Sequence, residues 1–189
     1  DGETWIRLIL QYRAISAHMP DQEKRYAGVI KKIQQELSEV KNEATVNAVL
    51  GNAYLILHSQ DTEKFEEQRL EAQKLMLKAL ELDPKNIWAY LGLKDVRLYD
   101  NDYECAINQL LEGIKHNPDN SRLSFELGEC YLIAHAEHAL SDEDCLNKAH
   151  DYYTKLLEQD PSYAPAYFRL GYISEQKASY DQAIEYYKQ

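Results

Sequence analysis

The chain has 189 residues, 44% of them hydrophobic, which suffices for one domain with a real core or for a short array of stacked units, without a metal or a disulfide to hold it. Its 21 basic against 32 acidic residues give a net charge of −11, so a phosphate backbone or an anionic lipid surface repels it, which argues against nucleic acid as a partner. Cys105, Cys130 and Cys145 lack metal-ligand spacing and are odd in number, which speaks against a disulfide framework and for a reducing compartment, the cytoplasm; no apolar run approaches the roughly 18 residues that suggest a membrane span.

Residues 1–43 carry two helical patterns. Trp5, Leu8, Ile9 and Tyr12 form one apolar stripe, and Tyr26, Val29, Ile30, Ile33, Leu37 and Val40 form another, divided at Met19-Pro20-Asp21. Neither stripe has the small residues found further on, so the pair reads as a degenerate cap of the kind that terminal repeats provide.

From residue 44 the chain repeats itself. GNAYLILHSQ, beginning at Gly51, returns as GECYLIAHAE, beginning at Gly128, 77 residues later. Pro84, Pro118 and Pro161, each preceded by Asp or Asn, close the amphipathic stretches LMLKALELDP, QLLEGIKHNP and YTKLLEQDP, because proline cannot continue a helix. Ala72, Ala106 and Ala149 lie twelve residues ahead of those prolines, and Ala183 fits the same slot in the last unit. The preceding helix supplies a small residue after a leucine, in Leu50-Gly51, Leu127-Gly128 and Leu170-Gly171, with Tyr54 and Tyr131 one turn later. Facing small residues flanked by Leu and Tyr describe antiparallel helix pairs packed tightly at their middles.

This pattern resembles the tetratricopeptide repeat, whose unit reads Trp-x2-Leu-Gly-x2-Tyr, then Ala-x3-Phe, then Pro. The resemblance covers residues 44–189 as four units: 44–86 (long), 87–120 (short), 121–163 (long) and 164–189 (truncated). The best single match is APAYFRLGYISEQKASYDQAIEYYKQ at 164–189. Lys94 stands where a small residue is expected, Arg97 where Tyr is expected, and Asn47 and Ser124 where a bulky aromatic usually sits. The resemblance implies an all-α, right-handed solenoid of antiparallel helix pairs.

In the first and third units, 21 residues rather than 12 separate the small residue from the next alanine, so each carries nine extra residues at its helix–helix turn. The expectation is that both helices of these units lengthen by about a turn and project from one edge. Ser141, and Asp61 or Thr62, are candidate N-caps there. The acidic groups Glu63, Glu66, Glu67 and Asp142, Glu143, Asp144 are candidates to dock a second, basic partner.

No nucleophile with a partner base, Gly-rich phosphate loop or Cys-x2-Cys pair appears. His135, His138 and Asp142, at spacings of three and four, could share a helix face as metal ligands, but an exposed, acid-rich helix cap gives the same letters without a convincing fourth ligand. Tyr152, Tyr153, Tyr186 and Tyr187 read as helix-packing residues, and Cys130 as a small buried hydrophobe. The chain is therefore expected to be no enzyme and to need no cofactor or metal.

In the family it resembles, the first helices of successive units line a concave groove that holds an extended or helical peptide. The positions implied to face it are Thr45, Ala48, Asn52, Leu55 and Ile56; Trp88, Leu91, Asp95, Leu98 and Tyr99; Arg122, Phe125, Glu129, Leu132 and Ile133; and Phe168, Tyr172, Glu175 and Gln176. Within this set Asn52, Trp88, Leu91, Asp95, Tyr99, Phe125, Glu129, Phe168 and Tyr172 are the expected site, with Trp88, Phe125 and Phe168 as aromatic anchors. The basic clamp of family members that grip chaperone C-termini is matched only at Asn52, since Ala48, Gly92 and Glu126 stand at its other places. The asparagine ladder of the family's glycosyltransferases is replaced by Val49, Gly92, Glu126 and Arg169.

The resulting expectation is a non-catalytic scaffold or adaptor, a subunit of a larger protein or assembly, binding a peptide or helix with apolar and basic residues. A regulatory domain of a multidomain enzyme and a dedicated secretion chaperone are the alternatives. The chain opens without Met and stops at Gln189 inside a helical pattern, as an excised portion would.

Overall fold

The computed structural model describes residues 2–16, 22–57, 62–140 and 142–189. Among these there are ten α-helices and no strand: α1 (Gly2–Ser16), α2 (Gln22–Leu37), α3 (Glu43–Ile56), α4 (Thr62–Leu82), α5 (Ile87–Tyr99), α6 (Tyr103–His116), α7 (Ser121–Ala136), α8 (Asp142–Gln159), α9 (Ala164–Gln176) and α10 (Tyr180–Tyr187). The candidate caps Asp61 and Ser141 lie outside the described residues, as do the division at Met19-Pro20-Asp21 and the side chains of Thr62, Asp142 and Glu143.

The starts of the helices are set by short polar side chains. Asn42, Asn86 and Asn120 precede α3, α5 and α7, and each side-chain oxygen accepts from a first-turn N–H: Thr45 at 2.9 Å, Ala89 at 3.2 Å and Leu123 at 3.0 Å. Asp102 does the same for α6, through the Cys105 N–H at 3.2 Å. Each bond satisfies one of the N–H groups that a helix start leaves without a partner. The start of α9 instead has proline in its first turn, where the missing N–H costs nothing.

The chain divides into two compact units, Asp1–Asp100 with α1–α5 and Asn101–Gln189 with α6–α10. The division falls in the turn between α5 and α6, inside the short repeat expected at 87–120.

In the first unit α3 and α4 pack as a hairpin, α5 lies against both, and α1 and α2 rest on α3. Met76 of α4 is fully buried with Ala48, Leu55, Ala72, Ala79, Ala89, Leu93 and Val96. A Cβ on Gly51 would stand 2.9 Å from the Met76 Cγ, and one on Gly92 would overlap the same thioether, so the two glycines let α3 and α5 close on it. A second cluster, with Ile9, Val29, Ile33, Val49 and Ala53, fastens the N-terminal pair to α3. Each buried Val, Leu, Ile or Met side chain contributes about 1.5–3 kcal/mol by leaving water, and each alanine less.

In the second unit the hairpins are α7–α8 and α9–α10, with α6 on α7 and α8 on α9. Tyr153 is fully buried against Gly128, where a Cβ would come within 2.6 Å of its ring. Ala72, Ala106, Ala149 and Ala183 are all buried.

The extra residues are divided unequally. In the first long repeat α4 has 21 residues against 14 in α6, while α3 has 14 against 13 in α5. Nearly all the added length is thus in the second helix, about two turns, and the expected lengthening of both helices is corrected there. Leu57, only 2% exposed, turns into the core where α3 ends and anchors that end. In the second long repeat α7 has 16 residues and α8 has 18, about a turn more in each.

Candidate functional site

The first unit contains a cleft of about 500 Å³ lined by Leu10 and Arg13 of α1, Leu55 and Ile56 of α3, and Asp95, Leu98 and Tyr99 of α5. It brings together two residues of the expected site, Asp95 and Tyr99, with three further residues assigned to the groove. The contribution of α1 is not anticipated by the repeat pattern. Its signal is an exposed leucine, Leu10, standing off the apolar stripe of its helix.

Tyr99 is half exposed, and its ring meets Phe65 of α4 edge-on, with centroids 5.1 Å apart and planes at 74°. Asp95 accepts an ion pair from Lys94 at 2.6 Å. Lys94, at a position where a small residue was expected, buries its stem and carries its ammonium out to that carboxylate.

Three expected groove residues are placed differently. Asn52 is buried, and its amide donates to the Ala48 carbonyl at 2.8 Å and the Trp88 carbonyl at 3.1 Å. It ties α3 to α5 instead of facing a ligand, because a buried amide is held by the protein groups that satisfy it. Leu91 is also buried, and Trp88 is half-buried against the core around Met76.

In the second unit Phe125 packs between the rings of Tyr153 and Tyr163, at 5.4 and 5.7 Å. Glu129 is committed inside: one carboxylate oxygen accepts the Tyr153 hydroxyl at 2.5 Å and the other pairs with Arg169. Burial first, and then the bond to Glu129, push the Tyr153 hydroxyl far above its ordinary range, so it stays protonated as the donor. Phe168 is the exposed anchor, with its ring 5.7 Å from Tyr187; Tyr172 is half-buried on the same helix.

His135 and His138 have ring centroids 6.5 Å apart, and His138 occupies a left-handed turn (φ 51°) at the end of α7. Their third candidate partner, the Asp142 side chain, lies outside the described residues. Of the acidic groups, Glu66 pairs with Arg69 at 2.5 Å and Asp144 with Lys148 at 2.7 Å.

Helix hairpins joined through small-residue contacts, with an apolar cleft between first helices, define the class: an all-α solenoid of antiparallel helix pairs. Two tetratricopeptide-repeat family models match the chain, over residues 95–136 and 152–185. Residues 95–136 and 152–185 therefore carry tetratricopeptide repeats, and such repeats are in general non-catalytic modules that bind other proteins. Among solved structures it is similar to Pseudomonas aeruginosa pilF (TM-score 0.64, 19% identity, covering 99% of this chain and 73% of that one). It is also similar to a MamA fragment from Desulfovibrio magneticus RS-1 (TM-score 0.60, 19% identity, 96% and 92% covered). A third is YrrB, described as a TPR protein with an unusual peptide-binding site (TM-score 0.54, 19% identity, 98% and 82% covered). No curated protein sequence matches significantly. At these identities the structural likeness concerns the fold. Among the described residues no helix is long and apolar enough to cross a membrane.

Proposed function

We propose that the protein is a scaffold or adaptor that takes a peptide or helical segment of a partner into the cleft of the first unit. The observation that carries this reading is the cleft itself, where Leu10, Leu55, Ile56, Leu98 and Tyr99 form apolar walls and Asp95 and Arg13 supply charge. Aromatic and aliphatic anchors in a concavity are where binding energy concentrates. Asp95 is nearly half exposed, and a carboxylate with several lone pairs can accept a donor beyond Lys94, so a basic residue beside the apolar anchors suits it. The unusual peptide-binding site of YrrB is consistent with this use of the fold. The repeats are taken as 44–86, 87–120, 121–163 and 164–189, after a capping pair at 1–43, in a subunit of a larger assembly in the cytoplasm.

The test is fluorescence anisotropy with a labelled amphipathic peptide carrying leucine at i, i+3, i+4 and i+7 and lysine between. The expected result is saturable binding that weakens about tenfold or more in Leu98→Asp and is much weaker for a scrambled peptide of the same composition. Equal binding of the scrambled peptide, or an unaffected Leu98→Asp variant, would sink the proposal.

A further inference from the structure

We propose that Phe65, on the additional turns of α4, and Arg69, directly after them, are positioning residues for the cleft: they hold the C-terminal end of α5 so that Tyr99 stands as its wall. The inference rests on the cleft being the peptide site. It gives the extra residues of the first long repeat a task.

Phe65 and Arg69 are four residues apart and share one face of α4. Phe65 meets the Tyr99 ring edge-on. The Arg69 guanidinium, whose side chain is only 12% exposed, bonds the Glu66 carboxylate of its own helix at 2.5 Å and the Asp100 carboxylate. Asp100 is the C-cap of α5, and its N–H donates to the carbonyls of Val96 and Arg97. The grip therefore falls on the residue that follows Tyr99, at a helix end that would otherwise fray. A cation there also suits the carbonyl end of the helix dipole. Glu66 keeps the guanidinium in place, so this one member of the acidic group serves the grip.

The second unit repeats the grip with other residues. Asn147 of α8 accepts from the Lys177 ammonium at 2.6 Å, and Lys177 is the C-cap of α9. In both long repeats the lengthened second helix reaches the end of the next first helix. The residue before that cap is Tyr99 in the first unit and Gln176 in the second, so only the first grip carries an aromatic wall.

The experiment is a double-mutant cycle in the full chain, with Phe65→Ala, Tyr99→Ala and both together, read by anisotropy with the leucine–lysine peptide and by the Tyr99 ring signals in NMR. Phe65→Ala is expected to weaken binding about three- to tenfold and to shift and average the Tyr99 ring signals. On the Tyr99→Ala background it is expected to change affinity no further, and Phe65→Tyr should restore binding. Equal loss on both backgrounds would mean that Phe65 acts elsewhere and would overturn the proposal, as would unchanged affinity in Phe65→Ala. Should the peptide fail to bind the parent chain, the cleft reading falls by itself, and the ring signals decide the grip: unchanged Tyr99 signals in Phe65→Ala reject it.

Discussion

The two hairpins α3–α4 and α7–α8, whose sequences recur after 77 residues, fill one slot in two ways. In the first unit Gly51 and Gly92 close on Met76, and Asn52 turns its amide to backbone carbonyls. At the corresponding places in the second unit stand Gly128, Arg169, Tyr153 and Glu129, where the tyrosine hydroxyl and the guanidinium share one carboxylate. An apolar Met cannot hold a carboxylate, and Gly92 leaves room for its thioether where Arg169 supplies a cation. Three positions thus differ together, and each set is satisfied only as a set. The lesson is that a polar residue after the small residue of a first helix does not by itself face a ligand; partners on two other helices decide whether it is consumed within the fold.

Breaking one set should show this most strongly. Tyr153→Met, which places the first unit's residue in the second, leaves a carboxylate oxygen of Glu129 without its donor and opens space beside Gly128. The expected loss is about 2–3 kcal/mol in urea unfolding. Adding the other two changes as one step, Glu129→Asn with Arg169→Gly, should recover about 1 kcal/mol, because the stranded carboxylate and its guanidinium partner are both gone and the thioether gains the room that Gly92 gives it. Strict additivity of this step with Tyr153→Met would show that the residues do not act as a set.

What was legible in the sequence is the part written in small residues and prolines. The alanine slots, the glycines after leucine and the Asp-Pro or Asn-Pro stops gave hairpins that the structure contains. The Asn caps stand two residues after Pro84 and Pro118, where the more conspicuous prolines mask them. The fates of Asn52 and Glu129 were not legible, since each depends on a residue 24 positions further on, Met76 or Tyr153, and on the next first helix. The share of α1 in the cleft was hidden because Leu10 and Arg13 follow no repeat period. The count of extra residues was readable, but their assignment to α4 depends on Leu57 turning into the core.

A smaller effect separates the turns that end α5 and α9, at Asn101 and Ala178, which both adopt left-handed backbone at φ 55°. Asparagine tolerates that region, whereas alanine, whose side chain offers no local hydrogen bond, is strained in it. After Ala178 the chain closes a Schellman-type bond, from the Ser179 N–H to the Ser174 carbonyl at 2.8 Å. Ala178→Gly is expected to stabilise by about 0.5–1 kcal/mol, and Asn101→Gly by less. Thermal unfolding of the two variants measures the difference, and a loss of stability in Ala178→Gly would contradict the account.

The smallest expected effect lies in the Asp-Pro turns that close α4 and α8. Asp83 accepts the Lys85 N–H at 3.0 Å, whereas Asp160 accepts both the Ser162 hydroxyl at 2.7 Å and the Ser162 N–H at 2.9 Å. The hydroxyl first, and then the backbone N–H, hold the Asp160 carboxyl below its ordinary value of 3.8. A carboxyl depressed in the folded state contributes stability that is fully present above its unfolded value and is lost as pH falls through the folded one. Acidification below 3.8 should therefore loosen the turn between α8 and α9 progressively. Ser162→Ala removes the larger cause and should move the carboxyl back toward 3.8 without abolishing the backbone bond. Carboxyl-detected NMR titration of both proteins reads the shift directly, and an Asp160 carboxyl unmoved by Ser162→Ala would assign the depression to the backbone N–H alone.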